Sequence, residues 1–198
     1  MAKTSAQKKP PETEESTRGG ALDAIALLKA DHKEVAAMFE EFLEGDLDGD
    51  AKDDLAANIC KAISVHAQIE EEIFYPAARE AVSGDDEDLL DEAEVEHGSI
   101  TDLVTAIEEH EDDALFDAQI KVMSEWVKHH VKEEETQLFP KLLKTDMDMK
   151  ELGAAMATRK EELMEEYDAA SDEDGNAADE DEDADDKTAD DDEDEDNA

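Results

Sequence analysis

The sequence predicts an all-α protein, an antiparallel up-down-up-down four-helix bundle with an extra C-terminal helix and disordered tails. Three observations predict it. Apolar residues recur at steps of three and four along four long segments. Short polar breaks separate those segments, which makes sequential helices antiparallel neighbours. Aromatic residues make up only 4% of the chain, too few for a packed sheet, and most of the eight glycines and four prolines fall outside the periodic stretches.

Residues 1–20 read as a disordered polar leader without the apolar core of a secretion signal. Residues 21–167 read as one domain. In its first segment Ile25, Leu28, Val35, Phe39 and Phe42 form the stripe, which GDLDGD then breaks. The second carries Leu55, Ile59, Ile63, Ile69 and Ile73, meets Pro76 and ends near SGDD. The third carries Leu90, Ala93, Ile100, Val104 and Ile107 and ends near HEDD. The fourth carries Ile120, Met123, Val127, Val131 and Leu138 and reaches Pro140. A shorter amphipathic helix with Met149, Leu152, Met156 and Leu163 is expected after it. Residues 168–198 form an acidic tail without large apolar side chains, expected to be disordered.

The acidic break after the first segment lacks the pattern of a calcium loop. Counted from Asp46, position six is Ala51 rather than glycine and position twelve is Ala57 rather than glutamate, so a turn with an Asp N-cap is expected. Cys60, the single cysteine, has no internal partner and lies on an apolar stripe, as a small buried thiol in a reducing compartment would. No apolar run approaches the roughly 20 residues that cross a bilayer. A cytoplasmic protein without membrane contact is expected.

The formal net charge is −44. Residues 21–167 alone hold 41 Asp and Glu against 13 Lys and Arg, a net of −28, so the folded part is acidic as well. Such a surface speaks against nucleic-acid binding, which needs a basic face. It suits a salt-rich cytoplasm, where screening relieves the self-repulsion. On that reading the unfolding midpoint rises steeply with KCl concentration; a flat response in a thermal melt would refute it.

Four of the six histidines occupy slots in the apolar stripes. The first helix reads Ile25, Leu28, His32, Val35, Phe39 and the third reads Leu90, Ala93, His97, Ile100, Val104. The second reads Ile59, Ile63, His66, Glu70, Ile73 and the fourth Met123, Val127, His130, Glu134, Leu138. After His66 and His130 alike come Glu at +4 and +5, an aromatic at +9 and Pro at +10. His32 and His66 are 34 residues apart, His97 and His130 33, so the bundle reads as a duplicated hairpin with a pseudo-twofold axis. Residues four apart on a helix share a face and are separated by about 6 Å along the axis. Each HxxxE pair therefore turns an imidazole and a carboxylate inward together. Buried carboxylates lose several kcal/mol of solvation unless a cation compensates, and two divalent ions bridged by Glu70 and Glu134 would supply that charge. His129, with Glu133 at +4, competes with His130 for the inward slot; His130 is preferred because it alone has Pro at +10. His129 and His110 are expected to be exposed. Glu71 and Glu135 are candidates for orienting the imidazoles. Imidazole with carboxylate suits iron, manganese or zinc. Ferritin-like bundles use paired Glu-x-x-His segments, and here only Glu94 and His97 have that spacing.

The four inward histidines, the Asp31-His32 pair and the two HxxxEE segments ending in an aromatic and Pro resemble the hemerythrin HHE cation-binding family, over about residues 21–167. The resemblance implies a non-haem di-iron centre with an oxo or hydroxo bridge, held by His32, His66, Glu70, His97, His130 and Glu134. It implies small-molecule partners: oxygen, peroxide or nitric oxide. Oxygen-carrying hemerythrins have a further histidine where this chain has Thr101 and an aspartate where it has Glu135, so the HxxxE/HxxxE subgroup is the nearer match. Fewer histidines leave more coordination positions open, which favours turnover such as peroxide decomposition over reversible oxygen carriage. The alternative is binding or sensing of oxygen, nitric oxide or iron without turnover. A third reading, loose metal storage by the tail, would show as metal lost on truncation after Asp168. No protein partner for the tail is readable, and no catalytic residue beyond the metal ligands stands out.

Overall fold

The structure, a computed structural model, describes residues 22–109 and 114–177. Helix α1 spans Ala24–Glu44, α2 Gly49–Ile69, α3 Tyr75–Ala81, α4 Asp85–Glu108, α5 Phe116–Glu133, α6 Phe139–Leu142 and α7 Met149–Ala177. Two five-residue π-helical turns, Glu70–Phe74 and Glu134–Leu138, join α2 to α3 and α5 to α6 without a break. No strand occurs among the described residues. His110 lies outside them.

The four long arms close into a square: α1 packs on α2 and α5, and α4 packs on the same two. Sequence chemistry sets the ends. Asp23 Oδ1 accepts from the Ala26 N–H at 2.8 Å, and Asp48 Oδ1 accepts from the Ala51 N–H at 3.1 Å, so the acidic break is the capped turn expected. Gly84, with φ of +65°, makes the left-handed step into α4 that a side chain would resist.

Apolar residues gather into two clusters at opposite ends. One holds Leu28, Ile69, Phe74, Leu90, Leu138, Phe139 and Met156 among others. The other holds Phe39, Ile59, Ile63, Ile100, Val104, Ile120 and Met123. The four stripe histidines form a polar layer between them. Cys60 is fully buried in the second cluster, where desolvation and the nearby Glu108 carboxylate push its thiol up to about 12.

The π turns change the register expected from the stripes. Pro76 and Pro140 cannot donate to a carbonyl one turn back, and their rings would crowd it. The chain widens: the Tyr75 N–H bonds to the Glu70 carbonyl and the Phe139 N–H to the Glu134 carbonyl, each five residues back. The extra residue brings Phe74, not Ile73, into the core; Phe74 is fully buried while Ile73 packs only partly.

The last helix also differs from expectation. It is the longest, at 29 residues, and continues to Ala177, beyond the Asp168 where the unstructured tail was placed. Two features hold it in register. Met156 and Leu163 are buried against the bundle, and salt bridges Arg159–Glu72, Lys160–Asp31 and Lys61–Asp168 run along it. The pairings show that α7 lies over α1 and α2. At Gly153 it crosses the chain entering α1 so closely that an added Cβ would sit 2.4 Å from the Leu22 carbonyl oxygen and 2.6 Å from the Ala24 nitrogen. Both are backbone atoms that cannot swing away. Gly153→Ala should therefore lower stability, since overpacking costs about 1–3 kcal/mol and outweighs the roughly 1 kcal/mol gained in helix propensity. A raised thermal midpoint would refute this packing.

Candidate metal centre

His32 comes from α1, His66 from α2, His97 from α4 and His130 from α5; Glu70 and Glu134 open the two π turns. All six belong to one buried layer, with Glu70 and Glu134 at 0% and 2% exposure. His66 is the most accessible, at 12% of its side chain.

The Nε2 atoms face inward. The Glu70 Oε2 lies 3.2 Å from His66 Nε2 and 3.4 Å from His97 Nε2. Glu134 Oε2 lies 3.2 Å from His32 Nε2 and 3.6 Å from His130 Nε2. The histidines themselves pair differently: the rings of His32 and His66 are 4.9 Å apart, and those of His97 and His130 4.7 Å. Each carboxylate thus reaches one imidazole of each pair, the disposition a carboxylate needs to bridge two ions.

The Nδ1 atoms face outward, and every one meets a carboxylate. His32 Nδ1 is 3.0 Å from Glu135 Oε1, and His97 Nδ1 is 3.0 Å from Glu71 Oε1. His130 Nδ1 is 2.9 Å from Glu96 Oε2, and His66 Nδ1 lies 3.6 Å from Asp31 Oδ2. An ionised carboxylate only accepts, so it favours a proton on Nδ1 and leaves the Nε2 lone pair free for a cation. Asp31 and Glu96, the residues just before His32 and His97, were not singled out in the sequence as imidazole partners. Asp31 is itself buried and accepts from Lys160 Nζ at 2.6 Å.

Tyr75 was also missed. Its buried hydroxyl donates to Glu134 Oε1 at 3.1 Å and lies 3.3 Å from His97 Nε2. Burial, then the charges of Glu70 and Glu134, keep this phenol well above its ordinary pKa, so it stays a donor. Its pseudo-twofold mate is Phe139, which stacks on His32 with a 4° interplanar angle. Exposed His129, at 62%, stays outside the layer.

The donor set fits a pair of cations. His32 Nε2, His66 Nε2, both Glu70 oxygens and Glu134 Oε2 are buried without hydrogen bonds. His97 Nε2 and His130 Nε2 face each other at 3.1 Å. Donor atoms of His32, His66, Glu70 and Glu134 fall within 4.8 Å of one another, as do those of Glu70, His97 and His130. Native interiors rarely leave so many polar atoms unsatisfied in one place.

Fold and layer together define a class: an all-helical bundle built around a buried histidine–carboxylate cation site. The sequence profile of the hemerythrin HHE cation binding domain matches residues 23–142, and the chain belongs to that family. The crystal structure of a hemerythrin HHE cation binding domain-containing protein from Mycobacterium kansasii superposes with a TM-score of 0.60. It is 22% identical in sequence, over 72% of this chain and 87% of that one. Comparison with curated protein sequences gives no match. Among the described residues no helix is long and apolar enough to cross a membrane.

In metal-free protein the surrounding carboxylates favour the protonated form of two of the four imidazoles, His32 and His97. Burial works against charging His32 and His97, but the carboxylates of Glu134 and Glu135 raise His32 from 6.5 to about 9, and those of Glu70 and Glu71 raise His97 to about 10. Folded pKa values above the unfolded one give stability that is fully present below pH 6.5 and is lost as pH rises through about 9 and about 10. Burial would raise Glu70, but His66, His97 and His130 hold it far below the usual range, so its contribution is lost only in acid. The thermal midpoint of metal-free protein should fall steadily from about pH 7 to pH 10. A midpoint that is flat across that window would contradict the raised pKa values of His32 and His97.

Proposed function

We propose that the chain is a non-haem di-iron protein that reacts with oxygen or peroxide. The observation that carries this reading is the convergence of six donors in one layer, of which His32 Nε2, His66 Nε2, both Glu70 oxygens and Glu134 Oε2 are buried without hydrogen bonds, while a carboxylate stands behind each imidazole. His32 and His66 would hold one iron and His97 and His130 the other, with Glu70 and Glu134 between them. The bound pair would supply redox equivalents and Lewis acidity.

The chain's own residues support access and proton handling. A cavity of about 30 Å³ adjoins the layer, walled by Val35, Ile63, Ile100, Val104 and Val127. That is room for a molecule of two or three atoms and little else. Thr101 lines it too; a small side chain at this position leaves the space open. Tyr75 Oη places one exchangeable proton beside His97 and Glu134.

A second reading, sensing without turnover, is favoured by the link from His66 through Asp31 to Lys160 on α7. Loading of the site would then register as slower hydrogen exchange in α7.

One experiment separates these readings. Protein purified without metal takes up ferrous iron anaerobically, and metal per chain, the visible spectrum after air and peroxide consumption are then measured. Two irons per chain, oxo-bridged bands and peroxide turnover are expected. Turnover should vanish in Glu70→Ala and fall by about a hundredfold in Tyr75→Phe at unchanged iron content. Two irons with no turnover leave the sensing reading; no stoichiometric iron, or tight zinc instead, refutes the iron site.

A further inference from the structure

A second histidine–carboxylate group lies outside the layer. His129 Nε2 is 3.6 Å from Glu96 Oε1 and 3.8 Å from Glu133 Oε1, and the three donor atoms fall within 4.8 Å of one another. His129 and Glu133 stand four apart on α5, the spacing that places an imidazole and a carboxylate on one face. Gln137 Nε2 donates to Glu133 Oε1 at 3.1 Å and steadies that carboxylate. We propose that Glu96, His129 and Glu133 form a third divalent-cation site on the outer face of α4 and α5, from which cations pass to the buried pair.

The pseudo-twofold axis argues for a cation at this place. Asp31 and Glu96 are equivalent, each one residue before a layer histidine. Asp31 faces His66 Nδ1 with one oxygen and the Lys160 ammonium with the other. Glu96 likewise faces His130 Nδ1 with Oε2, but its Oε1 faces His129. In the first hairpin α7 covers the outer face and brings its own positive charge. The positions equivalent to His129 and Glu133 are Val65 and Ile69, both fully buried there. In the second hairpin α4 and α5 present an imidazole and a second carboxylate instead of an apolar face under a lysine. Two carboxylates carry the charge that a divalent ion neutralises, and an imidazole nitrogen with two carboxylate oxygens suits a first-row metal.

A route inward adjoins the trio. A small cavity of about 10 Å³ is lined by Glu96, Glu133, His130 and Glu134 together with Leu89, Ala93 and Leu138. Glu96 therefore belongs to both stations, with one oxygen toward His129 and the other fixing His130. An ion leaving the outer trio would find the Glu96, Glu133 and Glu134 carboxylates around that cavity.

The chain's single tryptophan provides a local reporter. Trp126 lines the same outer groove as His129, Glu96 and Val95. Full-length protein is titrated with Co²⁺, a fluorescence quencher, after the buried layer has been filled with iron. Saturable Trp126 quenching is expected in the parent protein and at least tenfold weaker Co²⁺ affinity in His129→Ala and Glu133→Gln. Both substitutions are at solvent-accessible positions, and circular dichroism checks their folding. No saturable quenching, or quenching unchanged in both variants, overturns the site. The transfer role rests on the di-iron reading and has its own measurement: stopped-flow ferrous uptake by metal-free protein, expected to be several-fold slower in His129→Ala with the same final iron content. Equal uptake rates overturn the transfer role. Because Co²⁺ titration of the metal-free chain also reports the outer trio, a buried layer that takes no iron refutes the di-iron reading without deciding this one.

Discussion

Two carboxylates with almost no solvent exposure stand at the centre of the bundle, and the rest of the structure is arranged around that cost. An isolated buried carboxylate would lose several kcal/mol of hydration. Four imidazoles surround the pair, each drawn from a different arm, so the arms must align at one level to within a side chain's reach. The apolar clusters above and below then seal the layer. A slip of a helix by one turn would move a histidine out of the layer and bring Leu28, Ile63, Ala93 or Val127 to its level. The polar layer thus fixes the register that apolar packing alone, with its interchangeable aliphatic side chains, leaves loosely specified.

The duplicated hairpin supplies this layer economically, and the chemistry lies in its departures from symmetry. Phe139 packs over His32 as a plain ring, whereas Tyr75 at the equivalent place brings a hydroxyl to Glu134. Glu134 thereby has one oxygen hydrogen-bonded by a neighbouring hydroxyl, and Glu70 has no such donor on either oxygen. The outer faces diverge further. One is closed by α7 and Lys160; the other leaves Val95 and Trp126 at 72% and 46% exposure beside His129. Equal backbones with unequal surroundings make two chemically distinct positions out of one repeated motif.

Much of this was legible in the sequence because helical periodicity and the repeat carry it. Stripes spaced by three and four residues predicted every long arm, and the superposition of His66–Pro76 on His130–Pro140 predicted which residues share a layer. What escaped has specific causes. The π turns were hidden because proline after a ligand segment reads as a helix end, not as a widened turn, and the stripe consequently ran to Ile73 instead of Phe74. Asp31 and Glu96 carried no signal of their own: in a chain with 62 acidic residues, another carboxylate beside a histidine is unremarked until distances are known. Tyr75 was read only as an aromatic at +9, since sequence pattern does not reveal where a hydroxyl points. The reach of α7 was underestimated because its last turns, after Tyr167, carry no apolar stripe for periodicity to follow.

The acidity of the surface bears on how such a site obtains its metal. A net charge of −44 draws cations of every kind toward the chain. That attraction is indiscriminate, and salt removes it: the screening length is about 8 Å at physiological ionic strength and about 3 Å at 1 M. In a dilute medium the long-range field would concentrate divalent ions near the bundle, but monovalent ions would crowd the same carboxylates. In a salt-rich medium the field would vanish within one side chain of the surface. In both regimes selection has to come from donors that prefer a transition metal over sodium or potassium, and among carboxylates that means an imidazole. His129 is the exposed imidazole among the described residues, and it sits over Glu96, the carboxylate that braces His130. Helix spacing brings Glu133 to that ring and the neighbouring α4 brings Glu96; the proposed capture of a metal ion would give this arrangement its selectivity.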